Sequence, residues 1–274
     1  MFFGILISPL TDVCWTPHTN SLHGFPPPEG CQSYPAGLPP AVLRWVLRQL
    51  LSAMAHLEEN GVWHCDLKPE NILVKHQEGR TSVNLADFGN SREVADTGRV
   101  TETEMQTPSH RAPEVHLKAA LAAAANGRET NFPETLHNTA KTDMWSVATT
   151  AFKAAFGVSL FPYHNDARHM LRDIFSVMGV PKEEEWPGIA DVLSQIGMEL
   201  PDARGSSTDA IHRRLTARLL LHQKNSKAPL LAAANGKYLH EFIAFMDRLV
   251  CPPAFRMNAK DGLSHFFLAG GDDD

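Results

Sequence analysis

Three side chains able to act together fall within the stretch VWHCDLKPENILV (62–74): Asp66, Lys68 and Asn71. A carboxylate, a cation and an amide oxygen so close together suit phosphoryl transfer. That chemistry needs a carboxylate near the attacking hydroxyl, positive charge on the moving phosphate and hard oxygen ligands for Mg²⁺. Asp87, at the head of Asp87-Phe88-Gly89, comes sixteen residues after Asn71 and offers a second metal ligand. In this reading Asp66 accepts the hydroxyl proton, Lys68 neutralises the γ-phosphate, and Asn71 and Asp87 hold the metal. A single carboxylate is more often a solvated surface charge. The whole set, set between two strand-like runs, is not a chance grouping.

Elements on either side must position these groups. Val42, Leu43, Val46, Leu47, Leu50, Met54 and Leu57 recur at three- and four-residue spacing. They predict a buried helix from about Pro40, ended by Gly61, that delivers the chain into the loop. Short strands are expected at 72–75 and 82–86 around a turn near 78–79. Beyond them the pattern turns helical, with helices expected at 114–125, 141–157, 165–178, 188–197, 209–222, 237–250 and 258–265. The opening MFFGILISPL is apolar, but it lacks a basic start and a small-residue cleavage site, so it reads as a buried strand. The Pro/Gly-rich run that follows, up to residue 38, reads as a long loop. LAAAANG (121–127) and LAAANG (231–236) echo each other as helix ends capped by Asn-Gly, not as a repeat.

Bulk properties exclude several classes. With 274 residues, 43% hydrophobic and 20% charged, the chain can bury a sizeable core. A net charge of −6 offers no basic field for nucleic acid or an anionic membrane. Four scattered cysteines form neither a zinc site nor a disulfide framework, and the fourteen histidines show no ligand spacing.

HCDLKPEN (64–71), DFG and RAPE (111–114) resemble the catalytic, metal-binding and activation-segment motifs of eukaryotic protein kinases. DMWS (143–146) is similar to the start of their long central helix, and FRMNAKDGLSHFF (255–267) to their closing helix. The resemblance implies structural roles for His64 and for Asp143, which would brace the catalytic-loop backbone. It implies a buried Glu114–Arg256 bridge and a substrate pocket holding Thr107 and Arg111. Lys68 in DLKPEN is the Ser/Thr form. RAPEV, FGVSLFP (156–162) and residues 170–189 look like the group of cyclin-dependent, MAP and dual-specificity tyrosine-regulated kinases, which prefer proline after the target residue. Cys65 stands where most members carry arginine, and Ser109 and His110 replace an aromatic pair. The stretch from Glu114 to Asp143 runs longer than usual and adds an Ala-rich helix. Glu102, flanked by Thr101 and Thr103, aligns with the activating phosphothreonine of such relatives, and it is either a chance carboxylate in a polar loop or a fixed negative charge in place of the phosphate.

The resemblance weakens toward the front. Lys68 is the first lysine of the chain, and no G-x-G precedes it. The expected fold is therefore mainly α (α+β): a kinase C-terminal lobe with short strands at the catalytic loop and the N-terminal β-lobe largely missing. The expected division is a remnant strand and hinge (1–13), a loop (14–38), the lobe (39–267) and an acidic tail (268–274), the strand lacking its usual sheet neighbours. ATP and Mg²⁺ are the implied cofactors, with adenine near residues 8–10, beside Leu10, and Leu73 on its floor. The implied partners are a protein substrate and a protein covering the surface that faces the missing lobe, in cytoplasm or nucleus. A catalytically silent binding module is the alternative. A small-molecule kinase sharing an H-x-D loop is disfavoured by DFG, RAPE and DMWS together.

Overall fold

The computed structural model describes residues 6–10, 14–16, 21–23, 37–77, 80–93, 105–128, 130, 132–136, 139–199, 213–217 and 236–269. Helix α1 (Pro40–Glu59) begins with Pro at its first turn and buries Leu43, Val46, Leu47, Leu50, Leu51 and Met54. Gly61 follows its C-cap at φ +65°, a left-handed turn that glycine adopts without a steric cost. The short strand β4 (Val62–Trp63) leads into the catalytic loop.

Strands β5 (Ile72–Gln77) and β6 (Arg80–Leu85) form the hairpin anticipated on either side of residues 78–79. The pairing Ile72↔Leu85 brings the end of the Asn71 loop beside the start of the Asp87 loop. Strand β1 (Leu6–Pro9) pairs antiparallel with β5, from Leu6↔His76 to Pro9↔Leu73. The hairpin's free edge offers the backbone partners that an extended segment requires. One expectation about the front of the chain needs correction: residues 14–38 are not loop throughout, because β2 (Cys14–Thr16) pairs with β3 (Ser21–His23). Three-residue strands are too short to show alternation, so the surrounding prolines and glycines dominated the reading. A two-residue strand, β7 (Arg92–Glu93), pairs with β4.

The rest is helical: α2 (Pro113–Ala124), α3 (Ala140–Phe156), α4 (Ala167–Met178), α5 (Ile189–Gln195), α6 (Lys237–Asp247), α7 (Ala259–Leu263) and α8 (Phe266–Ala269), with a further turn at 213–217. The expected helix at 209–222 lies mostly outside the described residues, as do Thr101, Glu102 and Thr103 and residues 270–274. Among the described residues, no helix is long and apolar enough to cross a membrane.

Helix α3 is the axis of the fold. A Thr139–Thr142 capping box starts it and Gly157 ends it. Nearly every residue is buried, so it runs through the core instead of lying on it. Aromatic contacts run from Phe152 through Phe156 and Phe242 to Phe267 and fasten α3 to α6 and α8. At Gly37 (φ +85°) the chain passes so close to α3 that a Cβ would stand 2.0 Å from the Ala155 carbonyl oxygen. Three inward-turned polar residues of α3, Asp143, Ser146 and Thr149, reach the loops of the candidate site.

Candidate active site

Asp143 organises the catalytic loop from beneath. One of its oxygens accepts the His64 N–H at 2.6 Å and the other accepts the Cys65 N–H at 3.0 Å. Burial pushes its carboxyl above the usual range, opposed by those two N–H groups. Cys65 can thereby hold a left-handed φ of +64°, costly for a side-chain-bearing residue. The His64 ring donates from Nε2 to the Ala86 carbonyl at 3.0 Å, and its Nδ1 accepts the Asp66 N–H. Its ring centroid lies 5.0 Å from that of Phe88, which is 43% exposed.

Asp66 stands at the centre of the loop. Its Oδ1 accepts the Thr107 hydroxyl at 2.8 Å and the Thr107 N–H at 3.1 Å. Its Oδ2 accepts Lys68 Nζ at 2.8 Å, and Lys68 also donates to the Thr107 hydroxyl oxygen at 3.1 Å. Burial alone would raise the Asp66 pKa. Hydrogen bonds from Lys68 and Thr107, with the lysine charge, outweigh it and hold the carboxyl below its ordinary value. Asp66 is therefore ionised at neutral pH. Its stabilising contribution is present above the unfolded-state pKa and fades as pH falls through the lower folded value. In Lys68→Met the lysine's hydrogen bond and its charge are both gone, and carbon-13 titration of the Asp66 carboxyl should show its pKa rising. An unmoved pKa would assign the whole depression to Thr107.

Asn71 donates from Nδ2 to the Asp66 carbonyl at 2.9 Å, and its own carbonyl accepts the Ala86 N–H at 2.9 Å. The side-chain oxygen of Asn71 remains as a hard donor beside the loop that carries Asp87. Asp87 sits in left-handed backbone (φ +63°, ψ +68°), directly after Ala86. One amide oxygen and one carboxylate suit Mg²⁺, which takes few protein ligands and completes its shell with water and phosphate oxygens. The residues present thus fit the metal. Of the groups expected near adenine, Leu73 is partly buried, while the Leu10 side chain is fully enclosed in the core.

The activation-segment side of the site is fastened by residues that spacing did not single out. Gln106 is buried at φ +64°. Its amide nitrogen donates to Ser146 Oγ (2.8 Å) and the Thr142 carbonyl (3.1 Å), and its Oε1 accepts the Ala112 N–H (2.9 Å). The Gln106 backbone carbonyl is turned onto Arg111, accepting Nη2 at 2.9 Å and Nε at 3.2 Å. His110 donates from Nδ1 to Thr149 Oγ1 at 2.9 Å, since that hydroxyl itself donates to the Ser146 carbonyl. Burial drives its pKa down to about 4, and that of His116 to about 3, so both rings are neutral. Nothing in a polar loop residue such as Gln106 signals this role in sequence. At the end of the segment, Glu114 meets Arg256 in a bidentate bridge of 2.8 and 3.1 Å, both side chains fully buried.

The protein kinase domain family model matches residues 32–268. Human cyclin-dependent kinase 14 is 31% identical over 244 residues, covering 86% of this chain and 42% of that protein. The Xenopus tropicalis form is 31% identical over 156 residues, covering 57% and 32%. Mouse cyclin-dependent kinase 15 is 29% identical over 182 residues, covering 66% and 38%. The chain therefore spans less than half the length of these curated relatives. Among solved structures, a chain of the CAK complex from Chaetomium thermophilum, bound to ATP-γ-S, superposes with a TM-score of 0.60 at 20% identity, covering 97% of this chain and 72% of that one.

Proposed function

The chain belongs to the protein kinase domain family, and we propose that its site transfers the γ-phosphoryl group of Mg-ATP to a serine or threonine hydroxyl of a protein substrate. The observation that carries this reading is the Asp66 constellation. A buried, ionised carboxylate is held on one oxygen by Thr107 and on the other by Lys68. Asp66 receives the acceptor hydroxyl and holds its proton, and Lys68 places positive charge where the phosphate arrives. Asn71 and Asp87 would hold Mg²⁺, which when bound would offset negative charge on the phosphates.

A preference for proline after the acceptor residue is supported by Gln106. Its carbonyl is already taken by Arg111. A substrate N–H passing this turn finds no free acceptor, whereas proline has no N–H to leave unsatisfied. Arg111→Ala frees the carbonyl and should cut the preference for Ser-Pro over Ser-Ala peptides about fivefold, since one neutral hydrogen bond is worth ~1 kcal/mol. An unchanged ratio in competition assays would remove Arg111 from specificity.

The relatives' name suggests a cyclin-type protein as the partner, covering the exposed Phe88 side of the site, with ATP seated beside β1 and Leu73. Cytoplasm or nucleus is the setting proposed for such a pair. A second reading is a silent kinase-like binding module, favoured by the way Lys68 is spent on Asp66 and Thr107 within the loop. The test is transfer of labelled phosphate from Mg-ATP to serine, threonine and tyrosine peptides, with Mg-ATP thermal shift beside it. Transfer to serine or threonine supports the enzyme; neither transfer nor shift supports the module.

A further inference from the structure

The Ala-rich helix that lengthens the stretch from Glu114 to Asp143 is not explained by the chemistry at Asp66. In α2, Ala119, Ala120, Ala123 and Ala124 recur at helical spacing on one face. Their small side chains leave a cleft of about 620 Å³ against α4, closed on the far side by Met170 and Ile196. That volume lies within the range of true binding pockets. At its near end the cleft is walled by Pro108 and Arg111, and Pro108 follows Thr107, whose hydroxyl is on the Asp66 carboxylate.

We propose that this cleft binds the part of a protein substrate that follows the phospho-acceptor, an apolar residue flanked by acidic ones. The proposal rests on the kinase reading above. Continuity supplies the direction: an extended chain advances about 3.3–3.6 Å per residue, so a few residues carry a polypeptide from Asp66 past Pro108 into the cleft. Charge supplies the composition. Two guanidinium groups, Arg111 and Arg168, line the cleft against one carboxylate, Asp166, which the Arg168 N–H engages at 2.8 Å and the Arg168 guanidinium at 3.4 Å, while the Arg111 guanidinium lies on the neutral Gln106 carbonyl, so positive charge is in excess. The alanines, Met170 and Ile196 supply the apolar floor. His116 in the same wall donates from Nε2 to the Pro108 carbonyl, while its buried Nδ1 has no partner among the described residues.

The test uses the full chain and two fluorescein-labelled peptides, read by anisotropy. Both carry Ser-Pro and a short Gly/Ser spacer. One continues with Asp-Leu-Glu-Phe-Asp, the other with Gly and Ser only. The first should bind at least about tenfold more tightly. Ala123→Trp, which fills the cleft from an exposed position, should abolish the difference while circular dichroism stays unchanged. Arg168→Glu should weaken the acidic peptide and not a version with serine in place of its acids. Equal affinity of the two peptides, including no binding of either, overturns the proposal, as does a preference that survives Ala123→Trp. If Ala123→Trp instead alters sedimentation of the chain alone, the cleft is a contact between copies and the proposal is wrong. Because binding is read without transfer, Asp66→Asn should keep the peptide preference. A failed kinase reading then appears as binding without transfer, and a failed cleft as transfer without preference.

Discussion

Arg256→Ala is expected to destabilise the chain by about 3–5 kcal/mol, the cost of breaking one partner of a buried ion pair. The guanidinium lies on Glu114 with two bonds, and two further hydrogens go to the Lys141 carbonyl at 2.7 Å and the Cys251 carbonyl at 3.1 Å, leaving the Nε hydrogen without a partner among the described residues. It also lies over the Trp145 ring, with Cζ 5.2 Å from the centroid. Truncation leaves a fully buried carboxylate and two carbonyls without their donor, so the loss is far larger than that of a surface bridge. Glu114→Gln should cost less, because the amide oxygen can still accept one of the two bonds. The double change Glu114→Leu with Arg256→Met should cost less than the sum of the single changes, since no charge is then stranded. Denaturant midpoints at constant m-value measure all of these. Additive losses would mean that the two residues contribute independently and that the bridge does not tie the activation segment to the lobe.

That pair spans 142 positions, and its legibility shows what sequence order can carry. Motifs whose mutual order is specific identify partners that local spacing cannot connect. Helix α1 and the β5–β6 hairpin were equally legible, because apolar period and turn residues report burial directly. The cluster of Asp66, Lys68 and Asn71 was readable because all three fall within six positions of one loop, and the fold brings them into hydrogen-bond contact. Gln106 and His110 were not. Their roles arise from a left-handed turn and from hydroxyls on α3 that meet them only in the folded chain. The pairing of β1 with β5 was hidden for a related reason: a ladder joins backbone groups, and a strand's own residues do not name its neighbour. The cleft beside α2 depends on alanines whose composition reads first as helix propensity, not as an empty face.

Asp66→Asn is expected to lower phosphoryl transfer by about 10²–10⁴-fold, the range general-base catalysis supplies, while the fold persists. The amide keeps one oxygen for the Thr107 hydroxyl and N–H, so the turn on that side stays attached. On the other side an NH₂ group now faces Lys68 Nζ, where a carboxylate oxygen accepted at 2.8 Å. Two donors in contact repel, and Lys68 retains only the Thr107 hydroxyl oxygen at 3.1 Å. The structural cost is that of a lost charged hydrogen bond, about 1.5–3 kcal/mol, below the loss expected for Arg256→Ala. Part of the rate loss could come from displaced Lys68, and pH separates the two roles. In the wild type the rate should fall on the acid side as the depressed Asp66 carboxyl takes up a proton, below the ordinary carboxylate range. Asp66→Asn has no such proton to take and should lack that limb. Lys68→Met should keep the limb but move it to higher pH, because a cause of the depression is gone. A variant with full activity, or one that retains the acid limb, would take the base role away from Asp66.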